Sequence, residues 1–163
     1  MCHAHTLACA LLVRLPVDPK PQEFEPVNAL EQALWDARQG KQPIEHFLEL
    51  LVSSRVSILL DKDLGPSGVW DSSASPLILQ APSGDAVLAT FTSLERANVW
   101  HGRIPRFQYQ LETDFSWLLR GIAQGVGAII NPGTLGLVLT GERVAEMKAA
   151  TLRATQHLDG ADA

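Results

Sequence analysis

From Gly127 to Thr140 the chain reads Gly-Ala-Ile-Ile-Asn-Pro-Gly-Thr-Leu-Gly-Leu-Val-Leu-Thr. Two apolar runs, Ala128 to Ile130 and Leu135 to Leu139, are separated by Asn131-Pro132-Gly133-Thr134. No polar residue interrupts the first run, so it predicts a strand buried on both faces. Pro132 fixes its own φ, removes a backbone donor and is expected to push Asn131 toward an extended conformation. Gly133 can take the positive φ that a type II turn demands at its third position. Thr140-Gly141 then opens a helical pattern. The stretch reads as strand, rigid turn, short strand, helix.

The rest of the chain supplies the packing partners. Asn28 caps a helix with Glu31 at the capping-box position. Leu30, Ala33, Leu34 and Ala37 make one apolar stripe, and Gly40 gives a left-handed exit. Pro43 opens a second helix with Ile44, Phe47, Leu48 and Leu51 at the same spacing. This αα-hairpin needs a common apolar partner. Val56 to Leu60 is a strand. Asp61 to Ser75 is a Gly/Pro/Ser/Asp-rich loop containing Trp70, long enough to suggest a functional or mobile segment. Pro76 to Gln80 and Ala86 to Phe91 form a hairpin around Ala81–Asp85. Ser93 caps a short helix to about Val99, and Trp100 to Arg106 is a linker. Phe107 to Leu111 alternates as a half-exposed strand. Thr113 caps a helix with the stripe Phe115, Leu118, Leu119, Ile122. Thr140 caps the last helix, with Glu142 in its first turn and the stripe Val144, Met147, Ala150, Ala154. The expectation is a single α+β domain. Its mixed β-sheet has about five or six short strands and is packed by an N-terminal αα-hairpin and further helices.

The chain has 163 residues, about one domain. Such a domain buries ~70% of its unfolded surface and needs no metal or disulfide staple. Residues 1–26, broken by Pro16, Pro19, Pro21 and Pro26, read as an arm, either a tail or an extended strap. Residues 27–158 read as the domain and 159–163 as a frayed tail. Leu7 to Val13 is short for a signal core, with no lysine or arginine before it and no small-residue cleavage site before Arg14. With both cysteines, Cys2 and Cys9, confined to the arm, a cytoplasmic location is expected.

Four groupings bear on chemistry. Cys2, His3, His5 and Cys9 are zinc's preferred ligand types, but the spacing fits no known finger, and no metal site is expected. Ser67 in Gly65-Pro-Ser-Gly68 lacks the strand-to-helix elbow of a nucleophilic serine, and His46 and His101 belong to no recognised pattern. No catalytic residue and no cofactor are therefore expected. His101, Arg103 and Arg106 among Trp100, Phe107 and Tyr109 mix stacking and phosphate-binding types. The net charge of −5 argues against nucleic acid and an anionic membrane as partners. Asn131-Pro132-Gly133, with Thr92, Ser93 and Arg96 at another strand-to-helix junction, is the candidate surface for a protein partner. There is no Walker lysine and no dinucleotide fingerprint. A homodimer is compatible with this reading.

Three segments together carry a resemblance. They are Ser54-Arg55-Val56 to Asp61, then Ala89-Thr-Phe91-Thr92-Ser93-Leu-Glu95-Arg96, then Ile129-Ile-Asn131-Pro132-Gly133 with Gly136-Leu137 and an acidic helix start. In this order and spacing the chain resembles the SseB family in its N-terminal domain, over roughly residues 28–150. The arm and the Pro/Gly/Ser loop depart from the pattern, and no second domain of the kind some members carry is seen. The family is named for a serine-sensitivity phenotype and brings no agreed catalytic residues. The resemblance implies an adaptor or regulatory module, with related folds found beside secretion and toxin systems. A secretion translocon protein that shares the name has long membrane-active helices, which this chain lacks. Three functions follow in order of preference: a non-catalytic protein-binding module, an immunity protein or chaperone whose acidic surface meets a basic effector, and a small hydrolase using the 61–75 loop.

Overall fold

The structure is a computed structural model and describes residues 24–64 and 73–159. Cys2, His3, His5, Cys9, Ser67 and Trp70 lie outside the described residues, as do residues 160–163.

Two helices come first, α1 (Ala29–Arg38) and α2 (Ile44–Val52). Asn28 Oδ1 accepts from Glu31 N–H at 2.9 Å, as the capping pattern predicts. The reciprocal arm differs: the Glu31 carboxylate reaches back to Val27 N–H, one residue short of a standard capping box. Gly40 sits at φ +72 and ends α1. Strand β1 (Arg55–Leu60) then pairs antiparallel with β4 (Tyr109–Asp114) as a two-stranded sheet. Strands β2 (Ile78–Gln80), β3 (Ala86–Thr90), β5 (Gly127–Ile130) and β6 (Leu137–Leu139) form a second sheet in that order. Its β3–β5 pair is parallel and the others antiparallel, so the sheet is mixed. Ser57 exchanges both backbone bonds with Phe91, and Leu77 N–H donates to Leu59 O, which stitches the two sheets together. The α+β fold and the strand number agree with the sequence, with two sheets in place of one.

Helices α3 (Leu94–His101), α4 (Phe115–Gly121) and α5 (Gly141–Asp159) complete the fold. One core holds Leu34, Phe47 and Leu51 of the hairpin with Phe115 and Leu119 of α4 and Val144 and Met147 of α5. These residues close over the β1 and β5 side chains Ile58, Ala128 and Ile130. A second core packs Trp100 and Ala97 of α3, with Phe107, against Leu59, Leu79, Phe91 and Ile129. Successive strand residues feed alternate cores, which is why β1 and β5 are buried along nearly their whole length.

Several local expectations are corrected. Phe107 ends a turn on Ile104 O and puts its ring in the second core, so the strand begins at Tyr109. Thr113 therefore stays in the ladder opposite Val56, and Asp114 takes the cap position of α4 without a side-chain cap bond. Trp100 and His101 belong to α3 and not to a linker. The α5 stripe is buried at Val144 and Met147 but exposed at Ala150 and Ala154, which line an open groove beside α2. Asn131 is not extended: its φ is +50. Asparagine tolerates the left-handed region when its short side chain bonds locally, and that bonding outweighs the restriction imposed by Pro132.

Candidate functional site

Parallel pairing of β3 and β5, with Thr90 in register with Ile130, ends both strands at the same level. Their C-terminal continuations, Phe91-Thr92-Ser93 and Asn131-Pro132-Gly133, therefore lie side by side, where parallel strands commonly place binding groups. The sequence-predicted residues Thr92, Arg96 and Asn131 meet here. The other three play supporting parts. Ser93 Oγ caps α3 by accepting from Arg96 N–H at 3.3 Å. Pro132 O accepts from the Trp100 indole at 2.9 Å. Gly133, at φ +85, closes a turn in which Thr134 N–H donates to Asn131 O at 3.2 Å.

The group that joins them is Glu31 on α1, with 0% of its surface exposed. Its Oε1 accepts from Thr92 Oγ1 at 2.5 Å, from Arg96 Nε at 3.1 Å and, at the long distance of 3.5 Å, from Asn131 Nδ2. Its Oε2 accepts from Arg96 Nη2 at 2.8 Å and Val27 N–H at 3.0 Å. Arg96 thus engages the carboxylate with two parallel bonds, the strong planar geometry. Asn131 Oδ1 accepts from Thr92 N–H at 2.9 Å, and Asn131 Nδ2 donates to Thr92 Oγ1 at 2.8 Å. Asn28 Nδ2 donates to Thr92 O at 3.1 Å. One buried carboxylate therefore ties α1, the β3–α3 junction and the β5–β6 turn together. Burial pushes the Glu31 carboxyl up, but the hydrogen bonds from Arg96, Thr92 and Val27 and the Arg96 charge outweigh it, holding the carboxyl below its usual 4.5. The bonds to Glu31 in turn raise Arg96.

Arg96 also holds the segment before α1. Its Nη2 donates to Glu25 O at 2.6 Å, and its guanidinium lies 4.9 Å from the Phe24 ring centre. Phe24 in turn packs on Trp35 at 5.5 Å. Residues 24–27 are thus a short strap across this corner.

The sequence offers Asn131 and Thr92 as part of a partner surface, yet Asn131 is 0% and Thr92 7% exposed. They are interior groups more than a contact rim. Glu31 was missed as a hub because its capping position already explained it. The available signal was its placement one turn before Leu34 and Trp35, on the apolar flank of α1. Among the described residues no group of three or more His, Cys, Asp or Glu could hold a metal ion, and no helix is long and apolar enough to cross a membrane. A shallow groove of about 660 Å³ between α2 and α5, with Leu48, Val52 and Met147 on its floor, lies away from these residues.

No curated protein and no solved structure matches the chain. The family model of the SseB protein N-terminal domain matches residues 30–146, from the first turn of α1 into α5. That span contains Glu31, Thr92, Arg96 and Asn131 together with every strand of both sheets, and the chain belongs to the SseB family.

Proposed function

We propose that this SseB-family chain is a non-catalytic, cytoplasmic protein-binding module of the adaptor or regulatory kind. The observation that carries the reading is the state of the Glu31 carboxylate. Both oxygens are filled by Arg96, Thr92, Val27 and Asn131, so the charged groups gathered at the strand ends serve each other and not a substrate. A catalytic acid or base needs a face open to the reacting atom. The same segments also present apolar side chains outward: Val27 is 49% and Leu94 50% exposed, beside the exposed Glu25 and Glu95, on the two stretches that the network joins. A rigid corner bearing exposed aliphatic side chains offers an anchor point for another protein. The contact surface is thereby moved from Asn131 and Arg96, which hold the corner, to Val27, Ser93, Leu94 and Gly133 around it.

The test is affinity capture from native extract with the wild-type chain and with Val27→Asp and Leu94→Asp. A partner retained by the wild type and lost by both variants, with melting temperature unchanged, supports the reading. Equal retention by all three chains, or turnover of a small substrate by the purified protein, would sink it.

A further inference from the structure

Strand β4 is the outer strand of the two-stranded sheet, and no backbone group of the described residues pairs with its far edge. Which of its groups face that edge follows from β1. Ser57 exchanges bonds with Phe91, Leu59 O accepts from Leu77 N–H, and Asp61 N–H donates to Ser75 O. The odd-numbered residues of β1 are thus turned away from β4, so Val56, Ile58 and Leu60 are turned toward it. Their partners are Thr113, Leu111 and Tyr109. Gln110 and Glu112 therefore point their N–H and C=O groups outward. The one side chain recorded on these groups is Arg55, whose Nη2 reaches Glu112 O at a long 3.4 Å.

Edge strands are ordinarily protected by proline, lysine, a bulge or short length. Here β4 has six residues, none of them proline, glycine or lysine, and an unbroken register with β1. Its charge is lopsided. Arg103 and Arg106 precede the strand, and Glu112 and Asp114 finish it. A parallel neighbour of the same sequence would set like charge on like, whereas an antiparallel one sets opposite ends together. Tyr109, 45% exposed, and half-buried Leu111 supply an aromatic–aliphatic cross-strand pair when each meets the other's copy.

We propose that β4 pairs antiparallel with β4 of a second copy of this chain, across a two-fold axis at Gln110. Gln110 then lies opposite its copy, Tyr109 opposite Leu111, Glu112 opposite Gln108, and the Arg106 end of each strand beside Asp114 of the other. The outcome is a continuous β1-β4-β4-β1 sheet with an isologous interface. An axis at Leu111 would also pair outward-facing groups, but it would make Glu112 and its copy diagonal neighbours, so charge selects Gln110. Arg106 already pairs with Asp61 at 3.5 Å and lies over the Phe107 ring, but its side chain is 47% exposed, so the pair is half in water and its guanidinium can also meet Asp114 of the other copy. This inference is independent of the Val27 and Leu94 surface.

The test is sedimentation velocity of the full chain across concentration. The wild type is expected to dimerise reversibly. Gln110→Pro removes an outward donor while leaving the β1 ladder intact, and should give a monomer with its far-UV spectrum retained. Asp114→Arg and Arg106→Glu should each weaken the dimer about tenfold, since every contact occurs twice by symmetry. The two changes combined should restore most of the loss. If Gln110→Pro unfolds the chain, the charge swap decides. A wild type that stays monomeric at millimolar concentration, or a dimer indifferent to the charge changes, overturns the proposal.

Discussion

Replacing Arg96 by methionine separates the two opposed influences on Glu31. Methionine keeps most of the side-chain volume and removes the charge. The carboxylate is 0% exposed, and Arg96 supplies two of its hydrogen bonds, at 2.8 and 3.1 Å, together with its only ion pair recorded among the described residues. Breaking a buried pair by removing one partner typically costs about 3–5 kcal/mol, because the other charge remains uncompensated. Thr92 Oγ1, Val27 N–H and Asn131 Nδ2 still solvate Glu31, which puts the expected loss near the lower end, ~3 kcal/mol at pH 7. The pH dependence follows from the sign of the shift. In the wild type the folded carboxyl lies below its unfolded value, so its contribution is fully present above the unfolded value and is lost as pH falls through the folded one. In Arg96→Met burial dominates and the carboxyl rises. Protonation then relieves the penalty, and the stability gap between variant and wild type should shrink as pH is lowered from 7 toward 5. Urea titrations followed by tryptophan fluorescence, with linear extrapolation at each pH, measure both effects. A loss below about 1 kcal/mol at pH 7, or a loss that does not change with pH, would refute the claim that Arg96 neutralises a buried charge.

Three further outcomes are expected. Glu31→Gln removes the depressed carboxyl, so the fall in stability of the wild type below pH 4.5 should flatten in the variant, as read from melting temperature against pH. Asn131→Asp keeps an acceptor for Thr92 N–H but sets a second carboxylate beside Glu31. It should cost ~2 kcal/mol or more in urea unfolding at pH 7, and more than Asn131→Gly, which retains the left-handed backbone. Gly127→Ala would place a Cβ against Leu139 O of the adjoining strand, a backbone atom that cannot move without opening the β5–β6 ladder. It should cost more than ~3 kcal/mol by the same assay or leave the chain insoluble, while Gly102→Ala, with open space around it, should be nearly neutral.

What the sequence determined by itself was everything that depends on near neighbours. Apolar spacing placed α1, α2 and the stripe of α4. Asn28, Ser93 and Thr140 announced helix starts, and Gly133 announced the turn. These signals are local because capping, turn geometry and helical periodicity involve residues within about four positions of each other. The family resemblance rested on three such local patterns in order. Only the tertiary structure decided what lies between distant segments. The parallel pairing of β3 with β5 brings Thr92 and Asn131 together across 39 positions, and α1 swings Glu31 onto them across another 61. Glu31 already had a local role as a capping partner, so its sequence context concealed the longer-range one. The same contacts turned Asn131 into the left-handed region against the restriction from Pro132 and buried residues that local polarity had placed outside. A side chain's hydrogen bonds through space can outweigh a backbone preference of a kilocalorie or so, and no window of neighbouring residues records which groups the fold will bring to meet it.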